Sequence, residues 1–216
     1  MQINLSNLGK RYNYEWIFRN LTYTLESGTS YGILGHNGSG KSTLLTVIAG
    51  HNLHSEGEIT YLMDGKAVAP DKAYRQLSLT APYLELVEEL TLLEMIAFHT
   101  RFKPLRHNLS HDELVERMGL QKSRNKYVKD FSSGMKQRLK LGLAIYSDTK
   151  LLVLDEPTTN LDQEGVSWYQ EHVAANKEGR LIIVGSNIVH EYSFCDQHLY
   201  ITDYHNQARE TRSVKP

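Results

Sequence analysis

Gly35-His36-Asn37-Gly38-Ser39-Gly40-Lys41-Ser42-Thr43 fits the pattern G-x-x-x-x-G-K-[ST] and stands between two segments of different character. Before it, Ser30-Tyr31-Gly32-Ile33-Leu34 is short and apolar enough for a buried strand. After it, Leu44-Leu45-Thr46-Val47-Ile48-Ala49 reads as a helix that stops at Gly50. In such a unit the glycines let the backbone wrap an anion, and consecutive N–H groups and the helix N-terminus point at it. Gly35, Asn37, Gly38, Ser39 and Gly40 then form the cradle. Lys41 reaches the β- and γ-phosphates, Ser42 ligates Mg²⁺ and Thr43 bonds the α-phosphate. The pattern implies a bound nucleoside triphosphate.

The 216 residues suit one large domain or two closely joined subdomains. The 24 basic and 25 acidic residues nearly cancel, so bulk charge points to neither nucleic acid nor an anionic membrane surface. The single cysteine, Cys195, excludes an internal disulfide, fits a reducing compartment and is expected as a small buried apolar side chain. No apolar run reaches bilayer-spanning length and the N-terminus lacks a signal-peptide pattern. The expectation is a cytoplasmic chain whose membrane role, if any, comes through a partner.

Outward from the loop, Gln2-Ile3-Asn4-Leu5-Ser6-Asn7-Leu8 and Leu21-Thr22-Tyr23-Thr24-Leu25 alternate apolar and polar, as half-buried antiparallel strands do. Lys10-Arg11-Tyr12-Asn13-Tyr14 reads as a bend between them. Glu58-Ile59-Thr60-Tyr61-Leu62-Met63 is another strand, followed by the hairpin signal Asp64-Gly65. Residues 75–80 suit a further strand. Residues 90–102 and 114–118 carry helical spacing, the second opened by a capping box of Ser110 and Glu113 and closed by Gly119. Leu151-Leu152-Val153-Leu154 and Leu181-Ile182-Ile183-Val184 suit parallel strands covered on both faces. Leu199-Tyr200-Ile201 suits a last strand, and the polar tail beyond Tyr204 is expected to be mobile. The expected fold is α/β: a P-loop NTPase core with a mainly parallel sheet, an N-terminal antiparallel β-subdomain and an inserted α-helical subdomain at about 83–145. The whole chain, 1–216, is taken as one domain.

The run 151–154 ends in Asp155-Glu156. Neighbouring residues at a strand end point to opposite sides, so Asp155 can hold Mg²⁺ while Glu156 polarises an attacking water as general base. The plainer alternative is an acidic pair on the surface.

Taken in order, the phosphate loop, Phe131-Ser132-Ser133-Gly134-Met135-Lys136-Gln137-Arg138 and Leu154-Asp155-Glu156-Pro157-Thr158-Thr159-Asn160-Leu161-Asp162 resemble the nucleotide-binding subunit of an ABC transporter. The resemblance covers residues 5–201 and implies the ABC ATPase fold, with ATP and Mg²⁺ as ligands. It implies a head-to-tail dimer, as a homodimer or a paired cassette, with ATP between one phosphate loop and the signature segment of the other subunit. Ser132 and Gly134 match the serine and second glycine of the L-S-G-G-Q signature; Ser133 and Met135 depart from it, which puts the closure geometry in question. A capped core helix is the bland reading of that segment. Asp162 matches the D-loop aspartate, and an ordinary N-cap is its other reading. Tyr12 matches the aromatic that stacks on adenine, where a base–aromatic stack is worth about 1–3 kcal/mol; Tyr14 is the runner-up.

Two further departures stand out. Asn187 follows Val184-Gly185-Ser186 where the family carries a γ-phosphate histidine; asparagine still donates a hydrogen bond but carries no charge and shuttles no proton. His190 is the weaker candidate for that role. No glutamine stands at the Q-loop, where the chain reads Thr80-Ala81-Pro82-Tyr83. These substitutions lead to an expectation of slow or partner-dependent hydrolysis, with an ATP-gated dimerising switch as the alternative. Leu84, Leu86 and Phe98 are expected in the core, in a region where transmembrane permease subunits dock. Glu89-Leu90-Thr91-Leu92-Leu93-Glu94 is similar to compact exporter-type cassettes, and the short tail leaves no room for an appended regulatory domain; export is the favoured direction. The resemblance places the chain at the inner face of the membrane through its partner. A repair or translation ATPase lacks support without a coiled-coil insertion, and a GTPase without N-K-x-D.

Overall fold

The computed structural model describes residues 1–205. Its strands form two sheets. The first is antiparallel and built from β1 (Gln2–Tyr12), β2 (Glu15–Glu26), β4 (Glu56–Met63) and β5 (Lys66–Val68), in the order β2-β1-β4-β5. The second is parallel throughout, with β3 (Ser30–Leu34), β6 (Leu77–Thr80), β7 (Leu151–Asp155), β8 (Leu181–Ser186) and β9 (Gln197–Tyr200) in the order β6-β7-β8-β3-β9. The helices are α1 (Lys41–Ile48), the short α2 (Pro70–Ala73), α3 (Leu92–Thr100), α4 (His111–Arg117), α5 (Ser133–Tyr146), α6 (Gln163–Ala175) and the short α7 (Val189–Tyr192).

The alternation in β1 holds for Ile3 and Leu5 and then slips by one. A bulge between Leu5 and Leu8, with Asn7 at φ 49°, brings Leu8 back to the core face opposite Leu21. The expected bend at 10–14 is corrected: Lys10, Arg11 and Tyr12 continue β1, and Asn13-Tyr14 alone make the turn, with Tyr12 paired to Glu15. Asp64 and Gly65 turn the β4–β5 hairpin with φ of 50° and 76°, the primed geometry their sequence signals.

Strands β3, β7 and β8 are buried at every residue. Alternate side chains divide between two cores. Leu151 and Val153 join Ile33, Ile183, Leu45 and the antiparallel sheet; Leu152 and Leu154 join Ile182, Val184, Leu139 and Ile145 beneath the helices. Each such aliphatic side chain contributes about 1.5–3 kcal/mol by leaving water. The predicted strand at 75–80 shortens to Leu77–Thr80, since Arg75 and Gln76 lie in a 3₁₀ turn, and Ile201 opens another such turn after β9. Helix α4 has the expected Ser110–Glu113 capping box; α3 has a second, between Thr91 and Glu94. Cys195 is buried in the second core, and burial pushes its thiol up to about 12. Phe98 does not take its expected core place: it is 43% exposed and meets the ring of Phe102 edge-on at 5.3 Å. No helix among the described residues is long and apolar enough to cross a membrane. The tail expected to be mobile lies, from residue 206, outside the described residues.

Candidate nucleotide site

In the parallel sheet Leu34 pairs with Ser186 and Asp155 with Gly185, so the strand ends that carry the loop, the acidic pair and Asn187 open on one edge. Ligands of open parallel sheets bind in the crevice at that edge. The loop turns out of β3 at Gly35 and enters α1 at Gly40. Gly40 is the N-cap in the left-handed region (φ 95°), and a Cβ there would meet the Cγ2 of Ile17 at 2.4 Å, so only glycine fits. No side chain caps α1 and its first turn holds no acidic residue. The positive end of the helix is therefore left for an external anion. Lys41, 4% exposed, donates from Nζ to the carbonyls of Gly35 (3.0 Å) and His36 (3.2 Å), which draws the loop around its ammonium.

Asp155, at the end of β7, is 1% exposed, and neither carboxylate oxygen makes a hydrogen bond of ordinary geometry. Burial pushes its pKa up to about 6; the nearby Ser42 hydroxyl pulls it down, and the charge of Glu156 raises it further. A buried carboxylate with four free lone-pair sites beside a hydroxyl and an ammonium fits a hydrated cation. Among the described residues no three His, Cys, Asp or Glu side chains converge on a metal position. Mg²⁺ does not require such a cage, since it retains waters and takes one or two carboxylates plus phosphate oxygens.

Glu156 is half-buried and has φ 43° while its N–H donates to Gly185 at 2.9 Å. Strand alternation is thus not what separates the two carboxylates, as the sequence suggested; Glu156 lies past the strand, and a left-handed backbone turns it away. An outlier of this kind stores about 1–3 kcal/mol and is held only by its surroundings. Asn187 is exposed and donates from Nδ2 to Oδ1 of Asn37 at 3.2 Å, placing it on the phosphate loop. His190 instead bonds Thr158 Oγ1 at 3.1 Å and does not take that place. Tyr12 lies at the hairpin tip, 46% exposed, with the Lys10 ammonium 4.7 Å from its ring centre; Tyr14 is 87% exposed at the turn.

Ser132, Gly134 and Asp162 meet elsewhere, in a groove of about 370 Å³ that they line with Met135, Arg138 and Asn160. No phosphate-loop residue lines this groove. Ser132 caps α5, accepting from the N–H of Met135 at 3.3 Å, and Ser133 is simply the first helical residue, so its replacement of glycine brings no left-handed strain. Asp162 caps α6 through the N–H of Gly165 at 2.8 Å, its bland reading, and still faces the groove. Gln137, 1% exposed, ties α5 to the acidic segment by donating to the Pro157 carbonyl at 2.6 Å.

Sequence reasoning passed over two features here. Lys140 of α5 lies 3.3, 3.5 and 3.3 Å from the carbonyls of Ala81, Pro82 and Leu84, fixing the segment after β6. Tyr83, on the segment that lacks glutamine, is half-exposed, and its phenol is raised to about 12, first by partial burial and then by the charge of Asp155. Neither feature has a local signature, because both depend on how the segment after β6 packs against its neighbours.

A wrapped phosphate loop facing a buried carboxylate across a parallel sheet defines a phosphate-loop nucleotide-binding protein. The ABC transporter family model matches residues 18–159. The chain is 31% identical over 197 residues to an uncharacterized ABC transporter ATP-binding protein, YybJ, of Bacillus subtilis, covering 90% of this chain and 89% of that one. It is 31% identical to the Nod factor export ATP-binding protein I of Rhizobium johnstonii over 90% of this chain and 64% of the relative, so it spans under two thirds of that relative's length. The ADP- and phosphate-bound dimeric ATP-binding cassette MJ0796 superposes with a TM-score of 0.78 at 21% identity, covering 93% of this chain and 94% of that one, a likeness of fold. The chain belongs to the ABC transporter family, as an ATP-binding subunit.

Proposed function

We propose that the chain binds Mg-ATP on residues 35–43, closes head to tail on a second copy or a paired cassette, and hydrolyses ATP to drive export through separate transmembrane subunits. The observation that carries this reading is Asp155, whose buried carboxylate makes no hydrogen bond of ordinary geometry among the described residues and lies beside Ser42 and Lys41. Ser42 and Asp155 are the residues that would hold Mg²⁺, which when bound neutralises charge developing on the β- and γ-oxygens. Lys41, Thr43 and the loop N–H groups bind the phosphates, and Tyr12 offers its free ring face to adenine. Glu156 polarises the attacking water. Ser132 and Gly134, at the start of α5, present a hydroxyl and N–H groups to the γ-phosphate held by the other subunit, with Asp162 at the seam.

Support for a partner comes from the exposed apolar side chains Tyr83, Val87, Phe98 and Phe102, close in sequence to residues that line a cleft of about 160 Å³, among them Leu84, Leu86 and Lys103. Export is supported by the likeness to the Nod factor export ATP-binding protein I of Rhizobium johnstonii. Glu156→Gln tests the reading: it should bind Mg-ATP as the wild type does, lose phosphate release by at least about 100-fold, and accumulate as an ATP-bound dimer. Brisk hydrolysis by this variant would remove Glu156 as base.

Asn187 favours a second reading, an ATP-gated switch with little turnover, because the side chain on the phosphate loop carries no charge and no transferable proton. Steady-state phosphate release by the wild type, with and without its membrane partner, separates the two.

A further inference from the structure

The chain does not leave the nucleotide site at β9. Tyr200 pairs with Leu34, so the polypeptide emerges from the sheet beside the start of the phosphate loop and turns there through the 3₁₀ segment Ile201–Tyr204. Ile201 is fully buried, and its Cγ2 lies 3.0 Å from where a Cβ on Gly35 would stand. The residue after this segment, His205, is anchored by its own N–H to the Thr202 carbonyl at 3.2 Å, and its Nε2 lies 2.7 Å from the carbonyl oxygen of Ser39. A carbonyl only accepts, so Nε2 carries the proton and donates. The ring of His36 meets that of His205 edge-on at 6.5 Å.

We propose that His205 is a positioning residue of the ATP site, holding the Ser39–Gly40 peptide so that the Gly40 N–H faces the phosphates. The inference rests on the phosphate-loop reading. In a trans peptide the C=O and N–H point in opposite directions, so a donor that grips the Ser39 oxygen from behind aims the Gly40 N–H forward and opposes a peptide flip. The same bond polarises the peptide and strengthens that N–H as a donor, by about 10–30% for one added link. Ser39 is 1% exposed and its own N–H is turned to the His36 carbonyl at 3.1 Å.

The test is equilibrium titration of Mg-ATP and Mg-ADP against the full chain and its His205→Ala, His205→Leu and His205→Gln variants, with thermal melts alongside. Loss of one such hydrogen bond corresponds to about a 3- to 10-fold weaker Kd. Alanine and leucine should both show that loss, for ATP and ADP alike. Glutamine, which can reach with an N–H, should stay within about 2-fold of the wild type. A leucine variant that binds like the wild type overturns the proposal, as does a glutamine variant that binds as poorly as leucine. If the wild type binds nucleotide and no variant differs, the phosphate-loop reading survives and this inference alone falls; a wild type that binds neither nucleotide overturns both.

Discussion

Asp155 shows what the site demands of its fold. A carboxylate whose folded pKa is about 6 against an ordinary value of 3.8 binds its proton more tightly in the native state than in the unfolded one. Its contribution to stability is therefore present below pH 4 and lost as pH rises through 6, leaving a penalty of about 3 kcal/mol at pH 7. If Asp155 holds Mg²⁺ as proposed, the cation offsets that penalty, and protons compete with it as pH falls toward 6. Asp155→Asn should accordingly melt about 5–10 °C above the wild type at pH 7 without nucleotide, with the gap shrinking as pH is lowered to 4.5. The same variant should lose the extra stabilisation that Mg²⁺ gives over ATP alone. Melting curves at the two pH values check this, and a variant that melts lower than the wild type at pH 7 would refute the burial argument.

Helix α5 does more for the molecule than its composition suggests. Its N-terminus carries Ser132 and Gly134, Gln137 and Lys140 reach the acidic segment and the segment after β6, and its C-terminus ends on Arg180. Arg180 is 2% exposed and has no carboxylate in salt-bridge contact among the described residues. It donates to the carbonyl of Ile145 at 2.7 Å and to Thr149 Oγ1 at 2.6 Å, and lies 3.5 Å from the carbonyl of Ala144, while burial lowers its pKa to about 9. The cation thus satisfies last-turn carbonyls that no helical N–H can reach, at the negative end of the dipole. Arg180→Leu keeps the bulk but orphans these acceptors, and should cost about 3 kcal/mol, seen as a midpoint shift in urea; an unchanged midpoint would mean that water replaces the guanidinium. Little of this was readable beforehand. The central strands were legible because strands covered on both faces are continuous apolar runs, as 151–154 and 181–184 are. The hairpin tip was not, since Arg11, Tyr12 and Glu15 are all exposed and show no alternation. The phosphate loop and Asp155 were singled out from residue pattern and Asn187 from the family resemblance; the fold brings Asp155 to the buried end of β7 and Asn187 against Asn37 of the loop. The left-handed turn of Glu156, the buried arginine and the His205 contact arise from packing between distant segments, and no local pattern encodes them.

At the scale of the whole molecule the phosphate loop and the Ser132 groove are separate surfaces, joined through α5 and the segment after β7. If ATP is shared between two subunits, a change confined to the groove should spare one function and abolish the other. Ser132→Arg places a long cation in the groove and removes the α5 cap, at a cost of about 1 kcal/mol in stability. The phosphate loop keeps its wrapped lysine and its buried carboxylate, so the isolated subunit should bind Mg-ATP within about 2-fold of the wild type, one weak interaction's worth of change. In a Glu156→Gln background, where ATP is retained, the same substitution should leave the chain eluting as a single subunit in Mg-ATP on size exclusion. Should the double variant still form an ATP-dependent dimer, the groove is not the facing half of the site; should it lose nucleotide affinity on its own, the two surfaces are not independent.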